Sequence, residues 1–176
     1  MPGDIPVLKR LIPESVRALR HGFYTHAQAE AAIKHVFGVD SQLVSDGTYF
    51  VAVEGEQIVA CGGWSWWRTL YGGDQRPMGA GHILDPAVDA ARIRAFFVAG
   101  THARRGIGAM LLRACAEAAR ARGFTRLELM STLPGVPFYA KLGFAAVEPI
   151  VDTLPDGTSV GFVRMTRAVA DAGDPS

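Results

Sequence analysis

A short segment near the middle of the 176-residue chain combines two arginines with two closely spaced glycines, in the order Arg104-Arg105-Gly106-Ile107-Gly108-Ala109. It follows a β-rich run at residues 93–98 and opens an amphipathic stretch, so we predict a loop at a helix N-terminus. The first N–H groups of a helix lack internal acceptors, and the helix dipole adds positive charge. Glycines allow a phosphate to approach closely, and arginines donate charge-assisted hydrogen bonds. The segment therefore suits a ligand that carries a di- or pyrophosphate.

Spacing separates the kinds of phosphate loop that these glycines can form. A nucleoside-triphosphate loop needs Gly-Lys-Ser/Thr after its glycines, and this sequence has none there. A dinucleotide fingerprint needs Gly or Ala where Leu111 stands, and its glycines follow the strand directly, whereas residues 99–105 intervene here. Glu128 does stand about 20 residues further on, as a ribose-binding acid does. A dinucleotide-binding oxidoreductase using NADH therefore remains an alternative.

A second motif lies downstream of a predicted strand at residues 127–131 and reads Pro137-Phe138-Tyr139-Ala140-Lys141-Leu142-Gly143-Phe144. In this order and spacing, the loop, the helix and this motif resemble the GNAT superfamily of acyl-CoA-dependent N-acyltransferases, over residues 92–144. The family loop begins with Arg or Gln, where Ala103 stands, and often has Pro where Gly100 stands. Because such a loop binds mainly through backbone N–H groups, Ala103 leaves it usable, and Arg104 or Arg105 can compensate.

The resemblance implies acetyl-CoA as co-substrate and no metal. The strand ending at Phe97 and Val98 would splay from its neighbour, and its backbone would pair with the pantetheine arm as an added strand does. Ser131 and Phe138 would line the acyl and thiol end. The residues implied to hold the pyrophosphate are Arg104, Arg105, Gly106, Ile107, Gly108 and Ala109.

Tyr139 matches the tyrosine that protonates the departing CoA thiolate in many members of the family. A phenol with a pKa of about 10 stays protonated at neutral pH and can donate to a developing sulfur anion. The alternative is that Phe138, Tyr139 and Leu142 only pack a short helix against the sheet. The implied reaction is direct attack of a neutral amine on the thioester in a ternary complex, with the Val98 N–H meeting the oxyanion. No covalent intermediate is expected, since neither cysteine lies in a nucleophile motif.

The general base is not identified by the sequence. The strand before the loop, where many members carry an acid, reads Arg92-Ile93-Arg94-Ala95-Phe96 and holds no carboxylate. Five side chains elsewhere are candidates: His82, Asp85, Asp89, His102 and Glu128. The missing acid keeps open the alternative that the chain is a catalytically silent acyl-CoA sensor or regulatory module.

The acceptor is expected to be a primary amine of a small molecule, with a protein N-terminus or a lysine as alternatives. Alternation places Trp64 and Trp66 on one strand face, either as a wall of the acceptor pocket or as core or dimer-interface packing, and Trp67 on the other face. The Gly-rich loop at residues 69–89, with Tyr71, is expected to decide substrate identity.

These residues need a mixed sheet to position them. We predict an extended start at residues 5–8, a helix from Pro13, and a helix that begins at the Thr25–Gln28 capping box and stops at Gly38. Further helices follow at residues 107–122 and 134–142. Predicted strands cover residues 49–53, 58–64, 93–98, 126–131, 145–152 and 160–166. The expected fold class is α/β, a GNAT-like mixed, mostly antiparallel six- or seven-stranded sheet with helices on both faces, in one domain over residues 1–168 with a disordered tail at 169–176.

Composition narrows the function classes. The 18 Lys and Arg against 17 Asp and Glu give a net charge of +1, so no strong field exists to gather nucleic acid or an anionic membrane. A hydrophobic content of 49% with nine Phe argues for a filled core. Cys61 and Cys115 are expected to be buried thiols, and no run approaches the ~18 apolar residues of a membrane span. We expect a cytoplasmic protein, and the resemblance makes a homodimer an option.

Overall fold

Six strands form one mixed sheet in the computed structural model, which describes residues 2–74 and 81–169. The spatial order is β1-β2-β3-β4-β6-β5, and every neighbouring pair is antiparallel except β3 with β4. The strands are β1 Tyr49–Glu54, β2 Gln57–Ser65, β3 Ala91–Val98, β4 Arg126–Thr132, β5 Ala145–Thr153 and β6 Ser159–Ala168. The predicted mixed, mostly antiparallel sheet is confirmed, with six strands in the described residues.

Helices pack on both faces of this sheet, as predicted. The helices are α1 Ile5–Leu19, α2 His26–His35, α3 Ser41–Ser45, α4 Ile107–Ala121 and α5 Val136–Lys141. The side chains of α4 and α5 pack with Ile93, Leu127 and Leu129 in one buried cluster. Those of α2 pack with Val160 and Phe162 in another cluster on the opposite face. The second motif of the sequence thus belongs to the α4 side, and the chain's N-terminal helices cover the other side.

The first helix begins earlier than the sequence suggested. Residues 5–8 are the first turns of α1, not an extended segment, and the helix continues through Pro13. Pro6 lies in the first turn, where its missing N–H needs no partner. A proline in a helix interior costs about 3 kcal/mol, which burial of an apolar stripe offsets. The buried side chains of that stripe are Leu8, Leu11 and Ile12, packed with Cys61 of β2.

The helices that follow differ from prediction at their ends. The capping box at Thr25 and Gln28 is present, but α2 ends at His35, and Gly38 does not adopt the predicted left-handed conformation. The short helix α3 was not predicted; it is capped by Asp40, whose Oδ1 accepts from the Leu43 N–H at 3.2 Å. Gly123 has a left-handed φ of +94° just after α4, as the predicted stop requires.

The parallel pair β3 and β4 separates after three paired positions. Their register runs from Ala91 opposite Leu127 to Ile93 opposite Leu129, and beyond it β3 pairs only with β2 and β4 only with β6. The departure begins where β3 carries a bulge, at Ala95 with φ +54°. Gly62 of β2 lies against this bulge, since a Cβ there would come within 2.6 Å of the Phe96 ring. An opening between β3 and β4 results.

Several predictions fall partly outside the described residues. Within the Gly-rich loop this applies to residues 75–80, and within the predicted tail to residues 170–176. Val169 is described, and its N–H donates to the Thr125 carbonyl. Cys61 and Cys115 are buried and not disulfide-bonded, as predicted. Among the helices of the described ranges, none has the length and apolar character needed to cross a membrane.

Candidate active site

The opening between β3 and β4 joins two cavities. The loop groove, with a volume of about 330 Å³, lies between α1, the end of β3 and the segment at residues 102–108. The inner cavity, of about 80 Å³, lies behind it under the end of α2 and residues 70–73. The residues that line both are Phe37, Phe96, Phe97, Thr132 and Tyr139. A ligand lying in the groove can therefore meet a second ligand in the cavity at this junction.

The loop at the head of α4 presents its backbone N–H groups to the groove side. Arg104 and Gly106 both have left-handed φ values, +64° and +82°, and the first helical hydrogen bond runs from the Met110 N–H to the Gly106 carbonyl. The N–H groups of residues 107–109 consequently have no acceptor within the helix, and an anion site requires such unpaired donors. Gly108 leaves space for Phe138, because a Cβ there would lie 2.9 Å from the phenyl Cζ. The two sequence motifs meet at this contact.

The two loop arginines have different surroundings. Arg104 lines the loop groove. Arg105 is not among the lining residues; its Nη2 bonds the Glu54 carboxylate of β1 at 2.6 Å. The same carboxylate accepts a hydrogen bond from the Nε2–H of His102 at 2.9 Å, and the hydrogen bonds from Arg105 and His102 lower the pKa of Glu54. Glu54 was not among the predicted site residues, and through these two contacts it holds the loop to the tip of the β1–β2 hairpin.

The end of β3 offers unpaired backbone groups to the opening. The Ala99 N–H donates to the Val59 carbonyl of β2 at 2.8 Å, and main-chain groups alternate sides along a strand. The N–H and C=O of Val98 therefore point away from β2, into the opening. By the same alternation the backbone of Phe97 pairs with β2, and Phe97 contributes its ring, which packs edge-on against Phe37 at 5.7 Å.

Ser131 and Thr132 are placed differently from the sequence expectation. Ser131 is buried, donates its hydroxyl to the Thr132 carbonyl at 2.8 Å and lies under Gly135, so it lines neither cavity. Thr132 lines both. Strand alternation was the signal for this, since Leu127, Leu129 and Ser131 share the core face of β4 and Thr132 faces the other side.

Tyr139 lies at the junction with a free hydroxyl. Its ring packs edge-on against Phe138 at 4.9 Å, Phe144 at 5.6 Å and Phe96 at 6.5 Å. Across residues 2–74 and 81–169, nothing forms a hydrogen bond with the hydroxyl, which leaves it available to a ligand. Burial, with a smaller contribution from Cys115, raises the pKa of Tyr139 above its usual value, so the phenol stays protonated at neutral pH. The ring packs against the sheet and its neighbours, as the alternative interpretation required, and Tyr139 also lines both cavities.

The inner cavity has aromatic walls and includes a buried arginine. Of the lining residues that the structure describes, the titratable ones are Tyr71, Arg94 and Tyr139, and none is a carboxylate. Arg94 is only 4% exposed and bonds Asp40 at 2.8 Å and the Gly72 carbonyl at 2.5 Å. Burial raises the pKa of Asp40, and Arg94 opposes that rise. This buried pair ties the loop at residues 70–73 to β3 and to the start of α3.

The five candidate bases lie outside the inner cavity: His82, Asp85, Asp89, His102 and Glu128. Asp85 and Asp89 accept backbone N–H groups within their own turn, each at 2.9 Å. Glu128 is held by Arg92 and, at 2.9 Å, by Arg164. His102 lines the loop groove with both ring nitrogens bonded. Within the described part of the chain, no cluster of His, Cys, Asp or Glu suitable for a metal ion is present.

The tryptophans do not wall the inner cavity. Trp64 is 3% exposed in the α4-side core, with its ring 6.2 Å from Phe124. Trp66 packs beside it under the Arg122 guanidinium, at 3.7 Å. Trp67 donates its indole N–H to Asp46 at 2.8 Å. Trp64 therefore packs in the core, which is one of the two roles that the sequence left open.

The chain from residue 14 to residue 144 matches the sequence model of the acetyltransferase (GNAT) family. Because the match spans more than half of the chain, the protein belongs to the GNAT acetyltransferase family. Among curated proteins, no sequence matches the chain. The predicted resemblance is confirmed.

Solved structures with this fold include three acetyltransferases. A GCN5-related N-acetyltransferase from Rhodopseudomonas palustris has a TM-score of 0.67 at 19% identity, covering 96% of this chain and 91% of that chain. PaiA N-acetyltransferase from Thermoplasma acidophilum, in complex with coenzyme A, has a TM-score of 0.62 at 14% identity, covering 94% and 93%. YncA from Salmonella typhimurium, with its cofactor acetyl-CoA, has a TM-score of 0.59 at 15% identity, covering 100% and 94%. At these identities the likeness shows the fold.

Proposed function

We propose that the protein transfers an acetyl group from acetyl-CoA to the primary amine of a small molecule by direct attack in a ternary complex. The observation that carries this proposal is the free hydroxyl of Tyr139, at the junction between the loop groove and the inner cavity. The coenzyme A in the PaiA structure and the acetyl-CoA in the YncA structure support the choice of co-substrate.

The residues of the loop groove fit acetyl-CoA. Backbone N–H groups of residues 107–109 and the Arg104 guanidinium would hold the pyrophosphate. The N–H and C=O of Val98 would pair with the amides of the pantetheine arm. Apolar side chains of α1, among them Val16 and Leu19, form the facing wall and would cover the methylene groups of that arm.

The chemistry then follows from three groups at the junction. A neutral amine in the inner cavity attacks the thioester carbonyl, the C–N bond forms, and charge develops on the carbonyl oxygen. The Val98 N–H is the donor available to that oxygen. When the C–S bond breaks, Tyr139 donates its proton to the sulfur, and the proton leaving the nitrogen replaces it.

The size and lining of the inner cavity support a small acceptor. A volume of about 80 Å³ under residues 70–73 holds a short alkyl or aryl amine and excludes a folded protein surface. The wall includes the rings of Phe37, Tyr71, Phe97 and Phe162, which favour an acceptor with an apolar body. A peptide N-terminus is the alternative, and it would need the loop at residues 70–73 to open.

The test is titration of acetyl-CoA, a desulfo-CoA analogue and NADH into the purified protein, followed by a thiol-release assay over a panel of amines. Micromolar acetyl-CoA binding with amine-dependent thiol release is expected. Binding without release from any amine would favour the sensor module, which is supported by the lack of a carboxylate among the described residues that line the inner cavity. Saturable NADH binding without acetyl-CoA binding would favour the oxidoreductase.

A further inference from the structure

An acceptor amine must lose a proton before it can attack, and among residues 2–74 and 81–169 no carboxylate lines the inner cavity to take it. Alkyl amines have pKa values of about 10, so they arrive as ammonium ions at neutral pH. Arg94 lies in the cavity wall and pairs with Asp40, and its positive charge does not attract the ammonium group of the amine. A proton acceptor reached through a lining side chain would resolve this difficulty.

Tyr71 provides such a connection. It lines the inner cavity with Tyr139, and its ring packs against Phe162 with centroids 5.5 Å apart. Its hydroxyl donates to the Asp152 Oδ2 of β5 at 3.1 Å. Asp152 is half-buried and is not among the cavity-lining residues. Tyr71 thus links the lining of the cavity to the carboxylate of Asp152, which lies outside that lining.

We propose that Tyr71 binds the acceptor ammonium and relays its proton to Asp152; this inference rests on the proposed function. The ammonium N–H donates to Tyr71 Oη, which accepts that proton as its own hydroxyl proton passes to Asp152 Oδ2. The amine is left neutral with a free electron pair, Tyr71 is unchanged and Asp152 is a neutral acid that returns the proton to water. The later proton on nitrogen goes to Tyr139, so each turnover releases one proton in total.

Asp152 differs from the neighbouring acids in its contact with the cavity lining. Asp40 is engaged by Arg94 and by the Leu43 N–H, and Asp74, which follows the lining residue Gly73, accepts from the Ser41 N–H. The β5–β6 turn carries Asp156, which accepts from the Thr158 N–H and pairs with His35 at the end of α2. The further titratable groups on this side are Tyr139 from α5 and, along β5 and β6, Glu148 paired with Arg164. Of the acids named here, only Asp152 bonds a cavity-lining hydroxyl.

The experiment compares Tyr71→Phe and Asp152→Asn with Asp156→Asn, which makes the same chemical change in the adjoining turn and leaves Tyr71 untouched. The readout is kcat/KM for one amine from pH 6 to pH 10, with the acetyl-CoA Kd and Tm as checks on folding. We expect Tyr71→Phe and Asp152→Asn to lose about 100-fold at pH 7. Their profiles should rise tenfold per pH unit toward the pKa of the amine, because only free amine then reacts. Asp156→Asn should follow the wild type.

The relay also predicts non-additivity. If Tyr71 and Asp152 act as one chain, the double variant loses no more activity than either single variant. Profiles of Tyr71→Phe or Asp152→Asn that superimpose on the wild type, with normal Kd and Tm, would overturn the relay and leave the acetyltransferase intact. An unfolded Tyr71→Phe shifts the decision to Asp152→Asn, where a wild-type profile likewise overturns it. Absence of thiol release from the wild type with every amine would contradict the proposed function and the relay together.

Discussion

Tyr139 combines two properties that a proton donor to sulfur needs: a protonated phenol and no competing acceptor. Its ring is fixed by three aromatic neighbours, while its hydroxyl has no hydrogen-bond partner among the described residues. An interior phenol in such an apolar cage retains its proton well into the alkaline range. Position and protonation state are therefore both set by packing.

The Tyr139→Phe variant tests this role. We expect kcat to fall by about 100-fold or more, since the thiolate then leaves without an acid, while the acetyl-CoA Kd stays within twofold of the wild type. Burial raises the pKa of Tyr139, so wild-type activity should show no loss from its ionisation up to pH 10. Thiol-release kinetics and calorimetric titration measure the two quantities. An unchanged kcat would assign Tyr139 to packing alone.

The two loop arginines should differ in their contribution to co-substrate binding. Arg104 lines the groove, whereas Arg105 is already paired with Glu54. Losing a charged hydrogen bond to phosphate costs about 1.5–3 kcal/mol, so Arg104→Ala should weaken acetyl-CoA binding about 10- to 100-fold. Arg105→Ala should change the Kd less than about threefold, since an exposed pair contributes little. Alanine and arginine tolerate the left-handed φ of residue 104 equally poorly, so the backbone strain there is the same in Arg104→Ala as in the wild type.

Equal losses in the two variants, or a larger loss in Arg105→Ala, would contradict this division.

The sequence could not separate the two arginines, because both lie in the loop and only the contact of Arg105 with Glu54, at the tip of the β1–β2 hairpin, distinguishes them. The same limit applies to Ser131 and Thr132. The family resemblance named Ser131, which lies on the core face of β4, while Thr132 on the other face lines both cavities.

Among the elements, β3 is the one whose irregularity creates the site. Its bulge at Ala95 and the close approach of Gly62 let the Phe96 ring lie across β2 while β3 leaves β4. Bulges next to functional sites redirect side chains and end pairing, and this one does both. The opening, the backbone donor of Val98 and the aromatic junction all depend on it.

Gly62→Ala should disturb that arrangement. The new Cβ would lie 2.6 Å from the Phe96 ring, so the ring must move. We expect a loss of about 1–3 kcal/mol in the free energy of unfolding and weaker acetyl-CoA binding, measured by urea unfolding and calorimetry. Gly3→Ala is the control, because nothing lies within 4 Å of the added atom. Equal stability of the two variants would mean that the bulge accommodates a side chain.

Element prediction succeeded where periodicity was local and failed where tertiary packing decided. The loop-to-helix junction at Ile107 and the strands of the second half followed from spacing alone. Helix α1 was missed at its start because prolines near residue 6 argue for extended chain, and only burial against β2 shows otherwise. The link between Tyr71 and Asp152 spans 81 residues, and no local pattern reports it.

At the scale of the whole molecule, buried tyrosine hydroxyls and cysteine thiols make the stability of the fold depend on pH in the alkaline range. Burial raises the pKa of Tyr24 and of Cys61 to about 12 each, and raises those of Tyr49, Cys115 and Tyr139 as well. In the unfolded chain these groups lose protons at their ordinary values of 9.0 and 10.0. The unfolded state then binds fewer protons than the folded state, so stability falls as pH rises.

We therefore expect the free energy of unfolding to decline between pH 9 and pH 12, by about 1.4 kcal/mol per pH unit for each group that remains protonated only when folded. Urea unfolding at pH 8, 10 and 11 measures this. Tyr49→Phe should make the decline shallower, because it removes one of the groups whose pKa is raised in the folded state. The variant should still fold, since the contacts that the Tyr49 hydroxyl loses are long, at 3.4 and 3.5 Å. A flat profile, or an unchanged slope in that variant, would count against this linkage.

The separation of β3 from β4 also bears on how the family tolerates change. A binding surface of backbone amides is inherited with the fold and is not removed by replacing side chains one at a time. Three relatives keep the same fold at 14–19% identity to this chain. Side chains that line the inner cavity can therefore vary while the backbone donor of Val98 persists with the fold. Substitution to proline at residue 98, which would delete a backbone donor, is the kind of change that such drift should avoid.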